Sequence, residues 1–228
     1  MGYISDGFVE ALNLLVSLDP EVLAISWVSI KVASISTALS TIVGVPLGFL
    51  VGIGRFRGRN FLVSIFNTLM ALPTVVIGLM VYSLISRRGP LGELGLLYTQ
   101  SAMVIGQFIL AMPIVAALTL AVIGGVDPRI RKTALALGAT DTQSAWAILS
   151  ESQMGILAAV VAGFGRVFAE VGISMMLGGN IRGYTRNIPT AIALETSKGE
   201  FALGIALGLI LLGVAFGINL FLQMARRK

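Results

Sequence analysis

The 228-residue sequence contains no cysteine and no histidine. Without cysteine it has no disulfide framework, no cysteine-ligated metal site and no thiol nucleophile. Without histidine it lacks the commonest general base and zinc ligand, which excludes a Ser-His-Asp triad, histidine-bound haem and the H-E-x-x-H zinc motif. We therefore expect no metal, no cofactor and no catalytic residues, and most classes of enzyme are poor candidates.

Charged residues are also scarce. They make up 12% of the chain, about half of the ~25% that is usual in soluble domains. Hydrophobic residues reach 56%, and the mean hydropathy is +0.94. Because so few charges cannot cover a soluble surface, the sequence predicts an integral membrane protein. Its net charge of +5 then indicates basic loops on one side of the membrane rather than a nucleic-acid partner.

Five stretches satisfy the requirement of about 20 mostly apolar residues for a membrane-spanning helix. They are residues 22–53, 61–85, 97–123, 154–177 and 201–224. The expected fold class is therefore all-α, with residues 22–228 as one transmembrane domain in contact with lipid. Residues 1–21 are expected to be an external segment, and the helical spacing of apolar residues from Phe8 to Leu18 favours an interfacial helix there.

The charges between these stretches predict the orientation of the chain. One set of loops holds nine basic residues: Arg55, Arg57, Arg59, Arg129, Arg131, Lys132, Arg226, Arg227 and Lys228. The other set holds five: Arg87, Arg88, Arg182, Arg186 and Lys198. Because the more basic loops stay in the cytoplasm, the N-terminus is expected outside and the C-terminus inside. That arrangement needs an odd number of crossings, and five crossings satisfy it.

Residues 124–151, on the cytoplasmic side, are far longer than a turn. Asp127-Pro128 is typical of a helix start, with Asp as the cap and Pro in the first position. Gly138 predicts the end of that helix, and Thr140-Asp141 predicts the start of a second one. We expect a helix–turn–helix outside the membrane whose apolar face contacts a partner protein or, alternatively, the lipid headgroups.

The first of these helices carries a pattern known from a transporter family. Residues 133–139, with Ile148 ten positions after Gly138, resemble the EAA loop of the permease subunits of ABC importers. The chain keeps Ala134, Gly138 and Ile148 of that pattern. It departs from the pattern where the family has Glu, with Lys132 or Thr133 there, and where the family has Leu-Pro, with residues 150–151 there. Further blocks at 29–34, 72–78, 86–93, 164–172 and 179–191 resemble molybdate-type and tungstate-type members.

The resemblance implies a type I ABC-importer permease fold in a prokaryotic plasma membrane. It implies a homodimer that works with two ATP-binding subunits and an extracytoplasmic substrate-binding protein, and it favours tungstate over molybdate as the solute. The chain has no G-x-x-x-x-G-K-[ST] phosphate-binding motif, so ATP hydrolysis is expected in the partner. By resemblance, the residues that couple to this partner are Thr133, Ala134, Leu135, Leu137, Gly138, Ala139 and Ile148.

Two pairs of charged residues are candidates for contact with the solute. Arg166 and Glu170 lie inside one predicted span, four residues apart and so on one helix face. They either neutralise each other or form a translocation pathway or gate, since a charge inside a membrane must be paired or face water. Arg182 and Arg186 are expected outside. They either contact an anion or the binding protein, or are ordinary solvated charges.

The small residues and the solute each allow more than one interpretation. Gly44, Gly48 and Gly52 in the first span, and two similar glycine pairs in the last, are typical of close helix contacts within a subunit or between subunits. The same architecture could import sulfate, phosphate or an amino acid. A secondary transporter is disfavoured, because it should show inverted repeats and ion-coupling carboxylates, and the sequence shows one acidic residue inside the spans.

Overall fold

The computed structural model describes residues 2–54 and 56–225, with side chains from Gly7 onward. Of the nine basic residues predicted on one side, Arg55, Arg226, Arg227 and Lys228 lie outside the described residues. The described chain is helical, without strands, and includes a short 3₁₀ turn at Gly92–Leu94. Its α-helices are α1 (Gly2–Val16), α2 (Pro20–Ile53), α3 (Arg59–Met70), α4 (Thr74–Ile85), α5 (Gln100–Gly124), α6 (Pro128–Ala136), α7 (Asp141–Phe168), α8 (Gly172–Gly178), α9 (Ile188–Lys198) and α10 (Phe201–Ala225).

Four of these helices, α2, α5, α7 and α10, are each long and apolar enough to cross a membrane. Helices α3 and α4 pass the same test as a pair, but they meet at an angle of 94°. The described chain thus contains up to five crossings, in agreement with the predicted number. Pro73 stands at the N-cap of α4, at the bend, whereas Pro46 and Pro113 lie within the single helices α2 and α5.

The fourth predicted span, residues 154–177, differs from the structure. Helix α7 begins at Asp141 and runs without interruption through 28 residues to Phe168, so the second helix of the predicted loop and the span are one element. Thr140 starts it with a capping box, in which its side chain and that of Gln143 each accept a hydrogen bond from the other residue's backbone N–H. The chain then breaks and resumes as α8.

The centre of the protein is the contact between α2 and α5. A Cβ atom at Gly44 would lie 2.8 Å from the carbonyl oxygen of Met112, and one at Gly48 would lie 2.3 Å from that of Ala116. These glycines therefore let the two backbones touch, which confirms packing within the subunit. The glycines of α10 differ, because a Cβ atom at any of them would meet nothing within 4 Å in the described structure: Gly204, Gly208, Gly213 and Gly217.

Helix α2 connects the two ends of the molecule, since its 34 residues span about 51 Å. Its last turn lies beside α6, and we call that side of the protein the loop end. Its first turn lies beside the segment between α8 and α9, and we call that side the opposite end. Helix α9 packs against α10 and α2, and α1 packs along α10. The predicted position of residues 1–21 relative to the membrane stays a prediction.

Candidate functional site

At the loop end, α6 is a short helix with well-defined termini. The Asp127 side chain accepts a hydrogen bond from the backbone N–H of Arg129 at 2.8 Å and caps the start of the helix. At the other terminus Gly138 has φ +87°, and the backbone N–H groups of Gly138 and Ala139 donate to the carbonyls of Leu135 and Ala134. This pair of bonds is a Schellman motif, which explains why the pattern needs glycine at 138.

The coupling residues predicted by resemblance divide into two groups. Leu137, just beyond α6, is 83% exposed, and Thr133, Leu135 and Gly138 are also exposed. Ile148 is buried instead, in a cluster with Ile123. An apolar side chain so exposed can contact a partner, whereas a buried one can only hold the loop in place. Ala134 and Ala139 are half-buried.

Arg166 and Glu170 form the predicted pair at the end of α7. Arg166 Nη1 donates to Glu170 Oε2 at 2.7 Å, and the second carboxylate oxygen, Oε1, accepts from the backbone N–H of Ile173 at 3.3 Å. The Glu170 side chain is 4% exposed and that of Arg166 is 43% exposed. Glu170 is thus fixed by two partners, while the Arg166 side chain stays partly exposed.

Glu170 lies where two broken helices meet. It stands between α7 and α8, and α8 packs against α4, which follows the 94° bend. A Cβ atom at Gly172 would lie 3.3 Å from both Glu170 Oε1 and Thr74 Oγ1, so the start of α4 is next to the carboxylate. Irregular backbone within a membrane is tolerated where it is buried in protein or lines a water-filled cavity. Glu170 satisfies one of the backbone groups at this junction.

At the opposite end, Arg182 and Arg186 both contact Glu21 in the first turn of α2. Arg182 binds it with two groups: Nε donates to Oε1 at 2.8 Å, and Nη2 donates to Oε2. Arg186 Nη1 lies 3.5 Å from Glu21 Oε1 and 3.9 Å from Glu195 Oε1. Lys198 Nζ completes the group at 3.0 Å from Glu195 Oε1. The two predicted arginines are therefore brought together by carboxylates of α2 and α9.

Because of these contacts, the two arginines are ion-paired within the protein and are not free solvated cations. The hydrogen bonds and the negative charge of Glu21 raise the pKa of Arg182 above its ordinary value, so this residue stays cationic. Arg186 is only 12% exposed, and it lines a cavity of about 220 Å³ together with Glu21 and Arg182. The pattern identified the arginines but not Glu21 and Glu195, which neutralise much of their charge.

A buried polar chain links the opposite end to the central helices. Ser36 in α2 donates to Gln107 in α5, Gln107 donates to Ser174 in α8, and Asn187 also donates to Ser174, at 3.2, 3.3 and 3.0 Å. Asn187 caps α9 as well, in a capping box with Thr190. None of these residues was among the site residues predicted from the sequence. A glutamine in the middle of an apolar span is the signal that could have found them.

Sequence comparisons connect this geometry to known proteins. The chain is 42% identical to the tungstate uptake system permease protein of Peptoclostridium acidaminophilum, over 96% of each chain. It is 41% identical to that of Campylobacter jejuni, over 100% of this chain and 95% of the relative. The molybdenum transport system permease protein of Escherichia coli K12 is 29% identical, over 80% of this chain and 83% of the relative. No model of a protein family matches.

Solved structures agree on the fold. A chain of the inward-facing MetNI methionine ABC transporter superposes with a TM-score of 0.72, covering 91% of this chain and 95% of that one. The sequence identity is 15%, so this similarity concerns the fold alone. Most of the chain therefore shares the helix arrangement of that transporter chain.

Proposed function

Because this chain belongs to the permease subunits of tungstate-type and molybdate-type ABC importers, we propose that it forms the membrane pathway for tungstate. The observation that carries the proposal is the identity of 42% and 41%, over nearly the whole chain, to two permeases named for tungstate uptake. The relative named for molybdenum transport is 29% identical, which makes molybdate the second candidate.

The pathway is assembled from two copies of the chain. Two ATP-binding subunits dock at the loop end. Its orientation toward the cytoplasm is supported by the sequence, in which nine of the fourteen basic residues outside the spans belong to the loops of that side. A substrate-binding protein delivers the anion at the opposite end, where the N-terminus lies. What supports the docking surface is Leu137, an 83% exposed leucine held by the rigid end of α6. Burial of such a side chain in a groove of the ATPase provides a strong apolar contact.

The docking surface is tested by the variant Leu137→Asp in the complex purified with its ATP-binding subunit. The matched control is Leu94→Asp, which changes a leucine that is 63% exposed in the 3₁₀ turn. We expect Leu137→Asp to release most of the ATPase during detergent purification and Leu94→Asp to retain it. Retention of the ATPase at full yield in both variants would show that the docking surface lies elsewhere.

In the pathway, Arg166 contacts the passing anion and Glu170 is its positioning residue. The arrangement that supports this is an arginine side chain that is 43% exposed and paired with a buried carboxylate. One Nη atom is bound to Glu170, so guanidinium donors are left over for a tetrahedral oxyanion. Arg166→Gln should reduce ATP-driven tungstate uptake at least tenfold in proteoliposomes, and Lys31→Gln, another cation within a span, should leave uptake near the wild-type rate. A folded Arg166→Gln protein with normal uptake would contradict the pathway role.

The solute itself is tested with the complete complex and its binding protein in proteoliposomes. Labelled tungstate should accumulate only with ATP, and an excess of unlabelled tungstate should suppress the uptake more strongly than molybdate or sulfate does. If molybdate competes better than tungstate, the second candidate replaces the first. If neither oxyanion competes, the proposal is wrong.

A further inference from the structure

A cavity of about 1080 Å³ lies at the loop end, between the last turn of α2, the start of α3 and one face of α6. Its lining includes the apolar side chains of Ile53, Ile123 and Ile148. It also includes four cations and one carboxylate, namely Arg57, Arg59, Arg131, Lys132 and Asp127. Ile123 and Ile148 are buried, whereas Arg57 and Lys132 are exposed or half-exposed. The apolar part of the lining is therefore deep, and the charges lie at the mouth.

Several of the charged groups in the lining have partners. Asp127 caps α6, Arg131 Nη2 lies 3.1 Å from Asp141 Oδ1, and Arg59 Nε donates to the carbonyl of Val51 at 3.0 Å. For the side chains of Arg57 and Lys132, no hydrogen bond or ion pair occurs within the described part of the chain. The mouth of the cavity thus has two cations, from different helical regions, that are not neutralised by the protein.

The length of α2 indicates how deep in the membrane the cavity lies. Helix α2, at about 51 Å, is longer than the hydrocarbon core of a bilayer, about 30 Å thick. A helix of this length extends beyond the core toward the headgroup layers, and Gly52 and Ile53 at its C-terminal end line the cavity next to Arg57 and Arg59. Cations at this depth, above an apolar surface, suit a ligand that is anionic at one end and apolar at the other. Basic pockets between membrane helices bind phosphate headgroups in this way.

We propose that this cavity binds the phosphate group of an anionic phospholipid, with Arg57 and Lys132 contacting the phosphate oxygens and the apolar lining contacting the glycerol and acyl groups. The bound lipid bridges the α2–α3 turn and α6, so it steadies α6 against the membrane helices. This site is separate from the pathway through Arg166, and it does not depend on which oxyanion is transported. Free inorganic phosphate has the same oxyanion chemistry and is distinguished by the experiment.

The experiment uses the permease purified with its ATP-binding subunit in nanodiscs of phosphatidylcholine and phosphatidylglycerol. Native mass spectrometry after release measures how much phosphatidylglycerol stays bound as its fraction in the disc is varied. Lys132→Gln is compared with Arg129→Gln, because both cations belong to α6 but only Lys132 lines the cavity. Each cation near an anionic headgroup contributes about 1 kcal/mol, or about fivefold in affinity.

We therefore expect Lys132→Gln to weaken phosphatidylglycerol binding about fivefold and Arg57→Gln/Lys132→Gln about 25-fold, if the contributions add. Arg129→Gln should change it less than about twofold. Equal effects of Lys132→Gln and Arg129→Gln would overturn the site. Displacement of the lipid from the wild-type protein by millimolar inorganic phosphate would overturn the lipid assignment, because a free anion would then be the ligand. Co-purification of the ATPase is measured for the same variants, because Leu135, one of the predicted coupling residues, also lines the cavity.

Discussion

The two ends of the protein use their positive charges in different ways. At the opposite end, Arg182, Arg186 and Lys198 are paired with Glu21 and Glu195. At the loop end, the described residues form one ion pair, Arg131 with Asp141. The cations around Glu21 and Glu195 are therefore paired within the protein, whereas most of the described cations at the loop end form no ion pair.

This difference follows from burial. The side chains of Glu195 and Arg186 are 6% and 12% exposed, and a charge removed from water must be paired. The side chain of Asp141 is 84% exposed, so its ion pair is weak and nothing requires the neighbouring cations to be neutralised.

The strongest test of this comparison is Glu195→Gln. This change leaves Arg186 and Lys198 without the buried carboxylate that they share. We expect the free energy of unfolding to fall by about 2 kcal/mol, below the usual cost for a fully buried pair because Lys198 is half-exposed. Thermal unfolding in detergent measures the effect, with the exposed Glu200→Gln as control. A loss no greater than that of the control would show that the opposite end is not held by its charges.

A smaller effect is expected for the pair of Glu21 and Arg186. A double-mutant cycle of Glu21→Gln and Arg186→Gln isolates their coupling at a separation of 3.5 Å. The coupling should be about 1 kcal/mol and should fall little in high salt, because Arg186 is mostly buried. A coupling energy near zero would mean that Glu21 forms a stabilising ion pair only with Arg182.

The smallest effect is expected at the loop end. Arg131→Gln breaks the exposed ion pair with Asp141 and should change the free energy of unfolding by less than about 0.5 kcal/mol. Thermal unfolding in detergent, at low and at high salt, compares the loss of stability in this variant with that in Glu195→Gln. A loss as large as that for Glu195→Gln would abolish the contrast between the two ends.

Much of the fold could be predicted because its signals are local. Asp127-Pro128 and Thr140-Asp141 do begin helices, and Gly138 adopts the left-handed conformation that ends α6. The bend before α4 was harder to predict from the sequence. Three prolines stood inside predicted spans, and only Pro73 marks a break. Whether a helix stays whole at proline depends on neighbours that satisfy the freed backbone groups, and those neighbours come from distant parts of the chain.

The candidate site shows the same limit. The spacing of Arg166 and Glu170 predicted that they lie close together, but Glu170 lies beyond the end of α7 at Phe168, so their contact forms across the helix terminus and not along one helix face. The partner of Arg182 is 161 positions away in the sequence, and the chain of Gln107, Ser174 and Asn187 joins separate parts of the fold. Such long-range contacts are set by tertiary packing, so residue types and spacing indicated the cations but not what surrounds them.

The unbroken length of α7 has a mechanical consequence. Its first turn follows Leu137 and Gly138, and its last turn carries Arg166, so one rod of about 42 Å joins the two places. A rod of this length that pivots by about 10° about one end displaces its other end by about 7 Å. A small rotation of α7 imposed at the turn after α6 would therefore displace the end of the helix that carries Arg166 by several ångströms.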